Sequence, residues 1–112
     1  MMNEDTPVLD VLAAMTDASI EFSSLGNRDL MIARLAALAA MDASAVSYLL
    51  NIGPAAESGL TLEDAQGVLA AVAPIIGAPR TMSAATKIAR AVGFAIQVIE
   101  AELDAELAAE ED

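Results

Sequence analysis

Cysteine, histidine and tryptophan are all absent from this 112-residue chain. Without Cys there is no disulfide and no thiolate chemistry. Without His there is no imidazole base, and a Cys/His zinc site is excluded. Aromatic residues are scarce: Phe22, Tyr48 and Phe94 are the only three. Cations are scarce as well, five Lys and Arg against 17 Asp and Glu, for a formal net charge of -12. Five scattered cations cannot neutralise a run of phosphates, so no nucleic-acid partner is expected. Long apolar runs are missing. The longest stretch free of polar side chains, Gly67 to Pro79, has 13 residues and is interrupted by Pro74. A membrane span needs about 20, so no membrane partner is expected. The opening Met1-Met2-Asn3-Glu4-Asp5 is acidic and does not read as a secretory signal, which leaves a cytoplasmic location as the default expectation.

What the chain does have is alanine, 26 residues of it, within a composition that is 56% hydrophobic. Alanine loses no side-chain entropy in a helix, and its small size lets helices approach closely. Such a hydrophobic fraction is enough to build a core despite the charge. A chain this short buries roughly 65% of its unfolded surface, so apolar surface should remain for subunit contact.

The periodicity predicts one all-α domain over residues 1–112, a compact bundle of five or six helices. Residues 1–5 and about 104–112 are expected to be frayed acidic ends. Thr6 should cap a first helix, with Pro7 at its first position and Val8, Leu12, Met15 and Phe22 along one face. Gly26 should end it and Asn27 cap the next, which carries Met31, Leu35 and Leu38 to about Met41. Asp42 is the expected cap of a third helix, kinked or broken at Gly53-Pro54 and closed by a left-handed Gly59. Thr61 and Asp64 form a capping box for a fourth helix, which Pro74 should kink or stop near Ala73. Gly77-Ala78-Pro79 reads as a turn. A last helix then runs from about Met82 to Ala108, with Ile88, Val92, Ala95, Ile99 and Leu103 on one side. Glu100 to Asp112 holds seven acids and no base. It is read first as a solvated helix end and second as an acidic docking tail.

The segment from Ser44 to Gly59, reading SAVSYLLNIGPAAESG, resembles the central helix of the carboxymuconolactone decarboxylase and alkylhydroperoxidase-D-like family. That helix reads Cys-x-x-Cys-x-x-x-His-x-x-x-Ala-x-x-x-Gly before a Leu-Thr or Leu-Ser cap. Aligned on Gly59-Leu60-Thr61, Ser44 and Ser47 stand at the cysteines, Asn51 at the histidine and Ala55 at the alanine. Pro54 falls at an unspecified position. Gly77-Ala78-Pro79 resembles the family's Gly-x-Pro turn, and the likeness covers roughly residues 8 to 100. In the redox branch of the family the Cys pair attacks peroxide while His and a Glu of the preceding helix relay protons. Here Ile32 or Arg34 stands where that acid is expected. A Ser hydroxyl has no comparable ionised form and no redox cycle, and an Asn amide cannot shuttle protons.

The resemblance therefore implies a catalytically degenerate member without peroxidase activity. It would be an oligomeric binding or structural module, a trimer or hexamer, with no cofactor and no metal. The alternative is an enzyme acting on a lactone or small carboxylate through non-standard residues. The pocket candidates are Ser44, Ser47, Tyr48, Asn51 and Arg34, with a small-molecule ligand as a possible occupant; no catalytic residue is assigned. Ser44, Ser47 and Asn51 share one helical face. They either line a polar pocket or cap the helix and meet water. Tyr48 is a packing residue or a ligand contact. Arg34 forms an ion pair or binds an anion. Arg80, after the Gly-x-Pro turn, is expected to cap or to contact a surface, and Lys87 and Arg90 are expected to solvate the last helix. There is no phosphate-binding Gly-rich loop, EF-hand or nucleophile elbow.

Overall fold

A computed structural model describes residues 5–111. It is all-helical: α1 (Pro7–Phe22), α2 (Asn27–Ala40), α3 (Ala45–Glu57), α4 (Leu62–Ile76) and α5 (Ala78–Glu111), with no strand among the described residues. The expectation of an all-α bundle of five or six helices is met, with five among the described residues. The expected fraying of residues 1–4 and of Asp112 lies outside the described residues; α5 itself is helical through Glu111.

Several boundaries differ from expectation, each for a local reason. Thr6 occupies the cap of α1, but its hydroxyl donates to Asp10 Oδ1 at 3.3 Å and does not meet the helix backbone. Gly26 does not terminate α1. It is the extended N-cap of α2, and Asn27 is already helical. Asp42 does not cap α3. It sits one residue beyond the cap of α2 at φ 51°, in the left-handed region that Asp tolerates better than most side chains. There its N–H donates to the Ala39 carbonyl, and Ala43 N–H donates to Leu38, closing a Schellman turn. Ser44 takes the cap of α3 instead, its Oγ accepting from Ser47 N–H.

Neither internal proline breaks its helix. Pro54 and Pro74 both fall in a last turn, so each removes its own N–H bond to the carbonyl four residues back, and the helix ends within three residues in any case. The Pro54 carbonyl accepts from both N–H and Oγ of Ser58, and Gly59 at φ 83° completes a second Schellman turn through Gly59 N–H to Ala56 and Leu60 N–H to Ala55. After Pro74, Gly77 N–H still reaches the Ala73 carbonyl at 2.9 Å. Gly77 at φ 87° is the entire turn, so α5 starts at Ala78, four residues before the expected Met82. Pro79 lies in the first turn of α5, where no N–H is needed. Thr81 secures that turn by donating N–H and Oγ1 to the Gly77 carbonyl. The Thr61–Asp64 capping box of α4 is present in both directions.

Helices α2 to α5 pack on one another around a cluster of Ala39, Tyr48, Leu69, Ala84, Ile88 and Ala91. Three of these six are alanine, and Tyr48, 3% exposed, is the largest. Helix α1 contributes no buried residue; Val8, Met15 and Phe22 are 69%, 61% and 82% exposed. The 34 residues of α5 span about 51 Å at a rise of about 1.5 Å per residue, close to the molecule's longest dimension of 55 Å.

The two kinds of glycine can be told apart by substitution. Nothing lies within 4 Å of a Cβ built at Gly59 or at Gly67, so only the backbone decides. Gly59→Ala should destabilise the fold by about 1–2 kcal/mol, because left-handed φ disfavours Cβ. Gly67→Ala, in the exposed interior of α4, should stabilise it by about 0.5–1 kcal/mol. Urea unfolding of both variants checks the pair of signs.

Candidate functional site

The five candidate residues separate into three places. Ser44 and Ser47 sit at the exposed start of α3, their hydroxyls 3.3 Å apart. One turn on, Asn51 Nδ2 donates to the Ser47 carbonyl at 2.8 Å. The three polar residues are thus joined down one edge of α3 by local bonds. Such bonds are what short polar side chains make when a helix leaves them half-exposed. Arg34 is elsewhere. Its Nη2 donates to Ser19 Oγ at 3.1 Å, tying α2 to the end of α1.

Tyr48 and Asn51 meet at a cavity of about 240 Å³. Its remaining wall is aliphatic, built from α2 (Met31, Leu35), α3 (Ile52) and α5 (Ile88, Val92), with Leu60 and Thr61 at the mouth of α4. No charged residue lines it. Ser44, Ser47 and Arg34 are not part of this wall. Tyr48 Oη is buried and has no hydrogen-bond partner. Burial pushes its phenol above the ordinary tyrosine value, and the charge of Asp42 adds to that shift. The hydroxyl is therefore a neutral donor and not a base. A second groove, about 380 Å³, shares Leu62, Ala65, Ile88 and Val92 with the first and continues along α5 past Gly93 to Ile96.

The best-connected polar group lies outside the candidate set. The Asp42 carboxylate accepts from Ser83 Oγ at 2.7 Å and from Lys87 Nζ at 2.9 Å. Lys87 also donates to the Ala43 carbonyl at 2.7 Å. This clamp fastens the α2–α3 turn to α5, so Lys87 does not merely solvate the last helix. The Ser83 hydrogen bond, followed by that of Lys87, holds the Asp42 carboxyl below its usual range. Asp64 is lowered in the same direction, first by the Thr61 backbone N–H, then by the Thr61 hydroxyl and Arg28. Arg28 reaches Asp64 at 2.8 Å and links the starts of α2 and α4. Residues 42 and 83 are 41 positions apart, so no local spacing rule could pair them; the only signal was an acid in a turn and a Ser-x-x-x-Lys on one helical face.

Among the described residues no group of three His, Cys, Asp or Glu is placed to hold a metal ion. No family model, curated protein or solved structure matches the chain.

Two substitutions probe these groups. Tyr48→Phe should stabilise the fold by about 1 kcal/mol, since a buried hydroxyl without a partner carries an uncompensated desolvation cost; a loss measured by urea unfolding would mean that Oη has a partner. Asp42→Asn should lower the thermal midpoint. Because the folded carboxyl titrates below the unfolded one, the wild-type advantage is complete at neutral pH and is lost as pH falls through the depressed value. Melting both proteins across an acid pH series checks that closing gap.

Proposed function

We propose that this chain is a non-catalytic helical module that works as a homo-oligomer, a divergent relative of the carboxymuconolactone decarboxylase and alkylhydroperoxidase-D-like proteins in which the working Cys and His positions are Ser44, Ser47 and Asn51. The observation that carries the assembly reading is the amount of surface left uncovered. The chain exposes 7972 Å². A folded monomer of its mass exposes about 5,800 Å². The excess, about 2,200 Å², is more than one side of a standard protein–protein interface. The radius of gyration, 16.6 Å, likewise exceeds the roughly 13 Å of a compact chain of this length. Of the twenty exposed large hydrophobics among the described residues, thirteen lie on α1 and the distal part of α5, where Phe94, Ile99, Leu103 and Leu107 are each more than half exposed. Faces of this kind are stable in water when subunits cover them. The family likeness points to a trimer or hexamer.

The non-catalytic part of the reading is supported by the cavity. Tyr48 is its only ionisable lining residue, and its raised pKa suits neither a base nor a nucleophile. What the cavity offers is room for a small uncharged molecule, with the Asn51 amide beside an aliphatic wall.

Helix α5 is long and apolar enough, by length and composition, to cross a membrane. Two features favour the assembly reading over a span. Ala84, Ile88 and Ala91 of α5 belong to the shared core, and Lys87 is clamped to Asp42, so insertion would dismantle the bundle. A span of about 20 residues placed before Glu100 would also have to accommodate Lys87 and Arg90 in hydrocarbon.

Light scattering at micromolar concentration should give a multiple of 11.5 kDa; a monomer would contradict the proposal. Peroxide consumption with a thiol reductant should stay at background, and the protein should remain in the supernatant when neutral vesicles are sedimented.

A further inference from the structure

Four helices leave a pit between them. The 240 Å³ cavity takes its walls from α2, α3, α4 and α5, so it lies between elements and is not the open face of one helix. Tyr48, Asn51 and Thr61 are the three polar residues of the wall. Tyr48 Oη is closed off from solvent, so the ring supplies that residue's share of the wall. The Thr61 hydroxyl oxygen is engaged by Asp64 N–H at 3.1 Å. Asn51, half-buried, gives one amide hydrogen to the Ser47 carbonyl at 2.8 Å. That partner fixes the way the amide faces, because only Nδ2 can donate to a carbonyl. Among the described residues the Asn51 side chain makes no other hydrogen bond. Its Oδ1 and second amide hydrogen are left over, an acceptor and a donor on one planar group beside an aliphatic wall.

Charged occupants have nothing to meet there. No cation and no acid lines the cavity. Arg28 and Lys87 are paired with Asp64 and Asp42, and Arg34 is bonded to Ser19. The chain as a whole carries a charge of -12. A carboxylate or phosphate would lose its hydration and gain no counter-charge, and an ammonium would fare no better inside. We propose that this cavity binds one small aliphatic alcohol or primary carboxamide, with the polar head on the Asn51 amide and the alkyl part against Met31, Leu35, Ile52, Ile88 and Val92. Such a head both donates and accepts, so it meets Oδ1 and the free amide hydrogen together. An ether only accepts and meets one of the two.

This rests on the non-catalytic reading of the cavity above and names the ligand class of that site. It does not require the chain to assemble. Tyr48 is the only tyrosine and there is no tryptophan, so tyrosine emission reports on this wall alone. Octanol should change that emission saturably, with one site per chain. It should bind roughly threefold to tenfold tighter than its isomer dibutyl ether, the worth of one hydrogen bond. Octanoate at neutral pH should give no change. Asn51→Leu should retain binding and bring octanol and dibutyl ether to equal affinity. Equal affinity of the wild type for the two isomers, binding of octanoate, a preference that survives Asn51→Leu, or no saturable change with any probe overturns the proposal. Light scattering on the same samples keeps the claims apart. A monomer that binds octanol contradicts assembly alone, and an oligomer that binds no probe contradicts this site alone.

Discussion

The bundle depends on the packing of Tyr48 against three alanines. Tyr48 is held in a cluster with Ala39, Ala84 and Ala91, each nearly or fully buried. Three alanines let α2, α3 and α5 approach closely, and the tyrosine ring occupies the space their size leaves. A larger residue at any of the three alanines would force the helices apart or the ring off its rotamer. The Asp42–Ser83–Lys87 clamp is beside this contact in the chain and acts on the same two elements, holding the α2–α3 turn against the start of α5. Packing and polar clamp therefore reinforce one geometry. The Tyr48 hydroxyl, buried without a partner, is the cost of placing a phenol there.

The core is small. Among the described residues nine hydrophobics are buried and twenty large ones are exposed. In a chain with no Cys and no His, whose two described cavities are lined by no charged residue, the surface left uncovered by folding stands out more than any reactive group. Helix α1 and the distal half of α5 carry large apolar side chains that the single chain leaves exposed. Both are accounted for if the monomer is an incomplete unit.

Much of the architecture was legible in the sequence because helix signals are local. The Thr61–Asp64 box, Gly59 and the apolar spacing of α1 to α5 each act within a few residues. Boundaries were misread where two local signals competed. Asp42 has the chemistry of an N-cap, yet Ser44 stands nearer to Ala45, and the Schellman turn of α2 claims Asp42 first. Pro54 and Pro74 are helix breakers in an interior, and their harmlessness follows from falling in last turns, which only the observed helix ends reveal. The candidate site was legible in part. Shared helical spacing linked Ser44, Ser47 and Asn51, but it could not say that the cavity opens beside Asn51 and Tyr48 and leaves the serines outside. The Lys87 clamp was illegible because its partners are brought together by tertiary packing alone.

The central claim, that folding of one chain leaves helices which a second copy completes, is tested most directly by amide hydrogen exchange followed across protein concentration. The account predicts that α1 and residues 96–111 are protected at high concentration and lose that protection on dilution, while the Tyr48 cluster in α2 to α5 stays protected throughout. Rapid exchange of α1 and residues 96–111 at every concentration would contradict it.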